Sequence, residues 1–166
     1  PPGVPRINVS SGFKLVQTPT VVAMLYDLDT GPVFRQVLMD GRPLPERAEP
    51  TWLGYSIGRW DGDALVVSTS GFRDGGWIDT RVGRPHSDAL HVTERIRRTD
   101  VGRLEMMITI DDPKAYVKPW TVRIPFRLIA DGELLEGSCD GHEKTMAHRR
   151  IDPAPPEPPS PARPGL

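Results

Sequence analysis

The amino-acid sequence predicts an all-β fold, an antiparallel up-and-down β-barrel of about 8–10 strands with little helix. Two observations predict it. Short runs rich in β-branched and aromatic residues recur between Gly, Pro and Asp, and none extends into a helical period of ten residues. Four of the boundaries also carry related turn chemistry, because Gly after Asp supplies the positive φ angles of tight hairpins. These turns are Asp27–Gly31, Asp61–Gly62, Asp100–Gly102 and Asp131–Gly132.

Nine strands follow from this pattern. In chain order they are Phe13–Thr18, Val21–Tyr26, Val33–Met39, Leu53–Trp60, Ala64–Ser70, Leu90–Arg98, Arg103–Ile110, Trp120–Leu128 and Glu133–Cys139. Both ends of the chain are rich in Pro, which lacks the N–H that a sheet ladder needs. We therefore predict an extended N-terminal segment over 1–9, one β-barrel domain over 10–150 and a disordered tail over 151–166.

Charge and cysteine content argue against several classes of function. The 21 Lys and Arg residues nearly balance the 22 Asp and Glu residues, without a block of like charge, which disfavours nucleic-acid binding and polybasic membrane docking. The single Cys139 excludes an internal disulfide. The sequence contains no run of eighteen apolar residues, so we expect no membrane span. We expect a monomer or homodimer whose partner is a small-molecule ligand or substrate.

Hairpin parity predicts where the long loops lie. In a strict meander the connections alternate between the two ends of the sheet, so all four Asp/Gly turns fall at one end. The long segments Asp40–Trp52, Gly71–Ala89 and Asp111–Pro119 then fall at the other end, which we call the loop end. Barrels hold ligands at such ends, so we expect the functional residues there.

The candidate residues at the loop end fall into two groups. Aromatic rings suited to an apolar or sugar ligand, with one carboxylate, form the predicted binding surface: Trp52, Tyr55, Phe72, Trp77, Asp79 and Trp120. The alternative is that these rings plug the barrel as core. Groups suited to acid–base chemistry form the predicted catalytic set: His86, Asp111, Asp112 and Tyr116. Here the alternative is ordinary turn chemistry around Asp111-Asp112-Pro113.

Charged residues on an apolar face are a second signal. Alternation places Glu94 on the same face as Leu90, Val92 and Ile96, and Arg35 on the face of Val33 and Val37. A carboxylate inside a barrel must meet a cation, a ligand or another hydrogen-bonding group. Glu94 is therefore predicted either to form a structural Glu–Arg pair or to act on a ligand from within the barrel, as a fifth member of the predicted catalytic set. Arg35, Arg95 and Glu136 are further candidates for binding a polar group of that ligand.

No metal or cofactor is predicted. Cys139, His142 and His148 are close in sequence, but their spacing matches no closed zinc site and a fourth ligand is missing. There is no Gly-x-Gly-x-x-Gly, no Walker loop and no Gly-x-Ser-x-Gly elbow.

Three segments carry a resemblance to known proteins: Gly54–Val67 (GYSIGRWDGDALVV), Pro85–Arg95 (PHSDALHVTER) and Ile110–Thr121 (IDDPKAYVKPWT). Together they resemble a large, functionally uncharacterised family of bacterial proteins that are often exported. The resemblance implies a periplasmic or secreted location and no particular reaction. In shape, the predicted barrel resembles calycin or lipocalin-like proteins, an analogy that constrains function weakly.

Three hypotheses about function result. The first is a cofactor-independent lyase, isomerase or hydrolase of a small aromatic or apolar metabolite, in which His86 moves a proton and Asp111 or Asp112 orients it. The second is a non-catalytic carrier of an apolar ligand. The third is a structural or interaction module that docks a partner through its edge strands and Pro-rich tail.

Overall fold

The computed structural model describes residues 13–26, 33–47, 49–79, 82–130 and 132, and these contain no helix. They form ten strands: β1 Phe13–Gln17, β2 Val21–Tyr26, β3 Val33–Leu38, β4 Tyr55–Asp61, β5 Ala64–Ser70, β6 Gly76–Asp79, β7 Arg84–His86, β8 His91–Asp100, β9 Arg103–Asp111 and β10 Trp120–Arg127. Eight of these strands coincide with eight of the nine predicted ones. The ninth, Glu133–Cys139, lies outside the described residues.

Eight strands form one strongly curled sheet, a half-barrel with the order β1-β2-β3-β4-β5-β8-β9-β10. The all-β, predominantly antiparallel prediction is therefore confirmed. The remaining strands, β6 and β7, form a small separate hairpin within the predicted long segment Gly71–Ala89. They have only four and three residues, too few for an alternating pattern to be recognised in the sequence.

The strict meander is wrong at one place, because β3 and β4 pair in parallel. They share only two register pairs, Val37↔Ser56 and Leu38↔Ile57, so the connection that contains Asp40–Trp52 joins two strand ends that lie close together. It reaches the loop end at Thr51, whose N–H donates to Gly71 O (3.0 Å). The end of β2 lies near the Asp100–Gly102 turn, because Tyr26 pairs with Phe13, and the Phe13 ring contacts Phe126, which pairs with Leu104. The turn Asp27–Gly31 itself lies outside the described residues.

The concave face of the half-barrel holds the core. Alternation along each strand points every second side chain inward, and one cross-strand row illustrates it: Val22, Val37, Ser56, Thr69, Val92 and Ile110 are successive register partners. The two edge strands, β1 and β10, face each other across the curl. Their Phe13 and Phe126 rings meet edge to face, with centroids 5.0 Å apart. This contact brings the two edge strands together at one point on the open side of the half-barrel.

Candidate functional site

The loop end is built from Gly71–Ala89 and Asp111–Pro119, as predicted. Phe72 is completely buried and Ile78 and Leu90 are nearly so, which means that this segment closes the end of the core. We call Phe72, Ile78 and Leu90 the plug. Trp77, in contrast, is 42% exposed on the β6–β7 hairpin. The predicted aromatic group is therefore divided between the core and the surface.

His86 lies inside this plug and is only 3% exposed. Its Nδ1 is 3.1 Å from Ser87 O, and because a carbonyl only accepts, Nδ1 carries the hydrogen. Its Nε2 has no hydrogen-bond partner among the described residues. The ring packs edge to face on Phe72 and directly on Gly76, where an added Cβ would lie 2.0 Å from Nε2. The arrangement supports a packing role for His86, since backbone covers the nitrogen that would exchange a proton.

Asp112 is 1% exposed and joins the two loop segments. It accepts hydrogen bonds from Ser87 N (2.7 Å) and Ser87 Oγ (2.8 Å), and also from the backbone N–H groups of Lys114 and Ala115. Burial opposes ionisation, but these hydrogen bonds outweigh it and hold the pKa of Asp112 below its usual value. Both carboxylate oxygens of Asp112 thus accept hydrogen bonds from other groups of the chain, which favours a structural role.

The other aromatic candidates are also held by local contacts. The Tyr116 hydroxyl donates to Pro85 O (2.7 Å), and burial raises the pKa of this hydroxyl. The Tyr116 ring meets the Trp120 ring edge to face. The Arg84 guanidinium lies over the same Trp120 ring, 5.1 Å from its centroid. On the other side of the loop end, Arg73 lies over Trp52 at 5.3 Å. Tyr55 donates through its hydroxyl to Glu49 O (2.9 Å).

The remaining candidates are dispersed. Asp111 is exposed at the end of β9, and Asp79 is half-buried on β6 in register with Arg84. Arg95 lies on the convex face, where Nη1 binds Asp61 Oδ2 at 2.6 Å with both side chains largely in solvent. Glu136 lies outside the described residues.

A second group of polar side chains lies inside the half-barrel, away from the loop-end segments. Arg35 on β3 and Glu94 on β8 meet across the concave interior, with Nη2 and Oε2 2.6 Å apart. Each side chain is 2% exposed. This is the Glu–Arg pair that the sequence offered as one of two alternatives. Burial opposes the charged guanidinium, but Glu94 outweighs it and the pKa of Arg35 is raised, so the arginine stays charged.

The guanidinium of Arg35 is incompletely satisfied. Nη2 also donates to Met24 Sδ (2.8 Å), but Nε and Nη1 are buried without a hydrogen-bond partner among the described residues. The Tyr26 hydroxyl donates to Met24 Sδ, a weak acceptor, at 3.5 Å. Burial is the main reason that the pKa of Tyr26 rises to about 12, and the phenol therefore keeps its hydrogen. We call Met24, Tyr26, Arg35 and Glu94 the interior cluster.

Sequence reasoning identified Arg35 and Glu94 but missed Tyr26 and Met24. A usable signal was present, because alternation along β2 puts Val22, Met24 and Tyr26 on one face. Register then brings Met24 opposite Arg35. The other inward polar pair, Ser56 and Thr69, is self-sufficient, since its hydroxyl oxygens are 2.9 Å apart and hydrogen-bonded.

Comparison with known proteins gives no assignment: no protein-family model, curated protein or solved structure matches the chain. The family resemblance and the exported location stay predictions. In the described part of the chain, no helix is long and apolar enough to cross a membrane. Nor does that part bring together three His, Cys, Asp or Glu side chains able to hold a metal ion. Cys139, His142 and His148 lie outside it.

Proposed function

We propose that the chain is a small-molecule binding protein that holds a mainly apolar organic compound in the concave interior, next to the interior cluster. The observation that carries the proposal is the pair of buried, unpartnered nitrogens on Arg35. Polar groups that converge in an otherwise apolar interior are what orients a ligand in barrel sites.

A purely structural pair explains the arrangement less well. Buried ion pairs often stabilise a fold less than apolar residues of similar volume. Each buried N–H left without an acceptor adds a desolvation cost of about 1–3 kcal/mol. Pairing with Glu94 engages only Nη2 of Arg35, so Nε and Nη1 remain donors for another molecule.

The test is a titration with a neutral apolar dye such as Nile red, followed by dye fluorescence and by NMR of protein labelled with ¹³C in its methionine methyl groups. The chain has five Met residues, and two of them form an internal comparison. Met24 is completely buried in the interior cluster, whereas Met107 is 42% exposed on the convex face. Binding in the interior shifts the Met24 methyl signal and leaves the Met107 signal in place.

A result in which only Met107 moves, or neither residue moves at saturating dye, refutes the proposal. Phe34, 63% exposed on the convex face, provides a matched control. Phe34→Ala removes an apolar group to which dye adheres nonspecifically and should leave the Met24 response unchanged.

A second candidate is the acid–base enzyme of the sequence analysis, and one observation favours it. Glu94, a member of its predicted catalytic set, shares the interior cluster with two hydrogen-bond donors, Tyr26 and Arg35. The two functions differ in the fate of the ligand. Mass spectrometry of recovered compound finds it unchanged for a carrier and converted for an enzyme. Conversion that persists in His86→Ala but is lost in Glu94→Gln would place the chemistry in the interior.

A further inference from the structure

The charges of the interior cluster limit the kind of ligand that it can take. Arg35 is the one cation and Glu94 the one anion of the cluster, and they form a contact of 2.6 Å. The pair is therefore electrically neutral before any ligand binds. A ligand that brought its own charge would leave a net charge in a place where both side chains are 2% exposed.

The cluster has two buried atoms without a hydrogen-bond partner among the described residues, and both are donor nitrogens of Arg35. Nε of Arg35 has one N–H and Nη1 has two, and none has a partner among the described residues. The Tyr26 hydroxyl adds a further O–H, which donates to the weakly accepting thioether of Met24. A ligand that satisfies these groups must present acceptor atoms.

We infer that the interior cluster selects an apolar compound bearing a neutral oxygen acceptor, such as a ketone, ester or lactone, over both the hydrocarbon and the carboxylate of similar size. This inference rests on the proposed function and names the ligand class of the same site. A neutral oxygen accepts a hydrogen bond from Arg35 and leaves the summed charge of Arg35 and Glu94 at zero. One carbonyl would take a hydrogen from Nη1 or from Nε, and an ester has a second oxygen for the other.

Three probes of equal chain length test the selectivity: octan-2-one, octanoate and octane, titrated at pH 7 with the Met24 methyl signal as readout. A hydrogen bond to a charged donor corresponds to a preference of roughly 10-fold to 100-fold. We expect octan-2-one to bind at least about tenfold more tightly than octane on this basis. We expect a similar or larger margin over octanoate, because its charge would be left uncompensated.

Glu94→Gln supplies the decisive variant. It retains an oxygen acceptor for Arg35 but removes the negative charge, which leaves the cluster with the uncompensated cation of Arg35. The order of affinities should then reverse, with octanoate binding more tightly than octan-2-one. A purely structural role for the pair predicts no such reversal.

The double variant Arg35→Met/Glu94→Leu keeps the experiment decisive if Glu94→Gln does not fold. It replaces both charges by apolar groups, and octan-2-one should lose its advantage over octane. An advantage that survives in the double variant overturns the inference.

The remaining outcomes separate the two proposals. If octanoate binds to the wild-type protein as tightly as the ketone, or if all three probes bind equally, the selectivity inference is wrong while the binding function stands. If no probe moves the Met24 signal, the proposed function fails and the inference fails with it.

Discussion

Replacing Arg35 by Met should destabilise the fold far more than replacing a surface arginine. The substitution leaves the Glu94 carboxylate, 1% exposed, without its cation. Breaking a buried pair in this way costs about 3–5 kcal/mol, a large part of the ~5–15 kcal/mol that stabilises an ordinary domain. With a urea slope of about 2 kcal/mol per M, the unfolding midpoint should fall by roughly 2 M. Tryptophan fluorescence and circular dichroism in urea measure it.

Two controls separate charge burial from loss of an arginine side chain. Arg95→Met removes a guanidinium that binds Asp61 on the convex face, where the two side chains are 42% and 53% exposed, and should cost less than about 1 kcal/mol. Arg35→Met/Glu94→Leu removes both buried charges and should recover most of the lost stability. A loss in Arg35→Met no larger than that in Arg95→Met would contradict a cost of charge burial, and so would a double variant as unstable as Arg35→Met.

Two further predictions concern the loop end. Asp112→Asn replaces a carboxylate that accepts from Ser87, and it should cost about 1–3 kcal/mol at pH 7. Because the pKa of folded Asp112 is depressed, its contribution is present above the unfolded value of about 3.9 and is lost as pH falls through the folded value. Urea titrations of both proteins should therefore converge in acid, and a constant difference down to the lowest pH would contradict this. Gly76→Ala places a Cβ against the His86 ring and should lower the free energy of unfolding by about 1–3 kcal/mol. The loss should be clearly smaller in a His86→Ala background. Equal losses in urea unfolding of the two backgrounds would show that the ring is not the obstacle.

The sequence predicted the strands well because their information is local. Alternation and Asp/Gly turns depend on neighbouring residues, and Gly62 has the positive φ of 61° that its hairpin requires. The parallel pairing of β3 with β4 was missed because a connection such as Asp40–Trp52 carries no local mark of its direction. A parity argument assumes that every pairing is antiparallel, so one parallel pairing removes its basis for the strands that precede it.

The candidate residues can also be separated into those with a local signal in the sequence and those without one. Glu94 and Arg35 were identifiable because a charge interrupts an apolar face, and this pattern is visible in each strand alone. The surroundings of His86 were not, since Gly76 meets it only through a hairpin too short to recognise. An ionisable residue in a long loop predicts proximity to an opening, whereas its access to a ligand depends on what packs against it.

Unpartnered atoms occur both in His86 and in Arg35, and their chemistry explains why only the second points to a ligand. A neutral histidine ring can carry its one N–H on either nitrogen, so when Nδ1 donates to Ser87 O the other nitrogen has no hydrogen that needs an acceptor. Arginine has no such choice, because its guanidinium stays protonated and keeps five N–H hydrogens. Glu94 and Met24 engage only Nη2, so three hydrogens in the interior remain without an acceptor among the described residues. A buried donor that always keeps its hydrogen is therefore the stronger indication of a ligand that accepts a hydrogen bond from it.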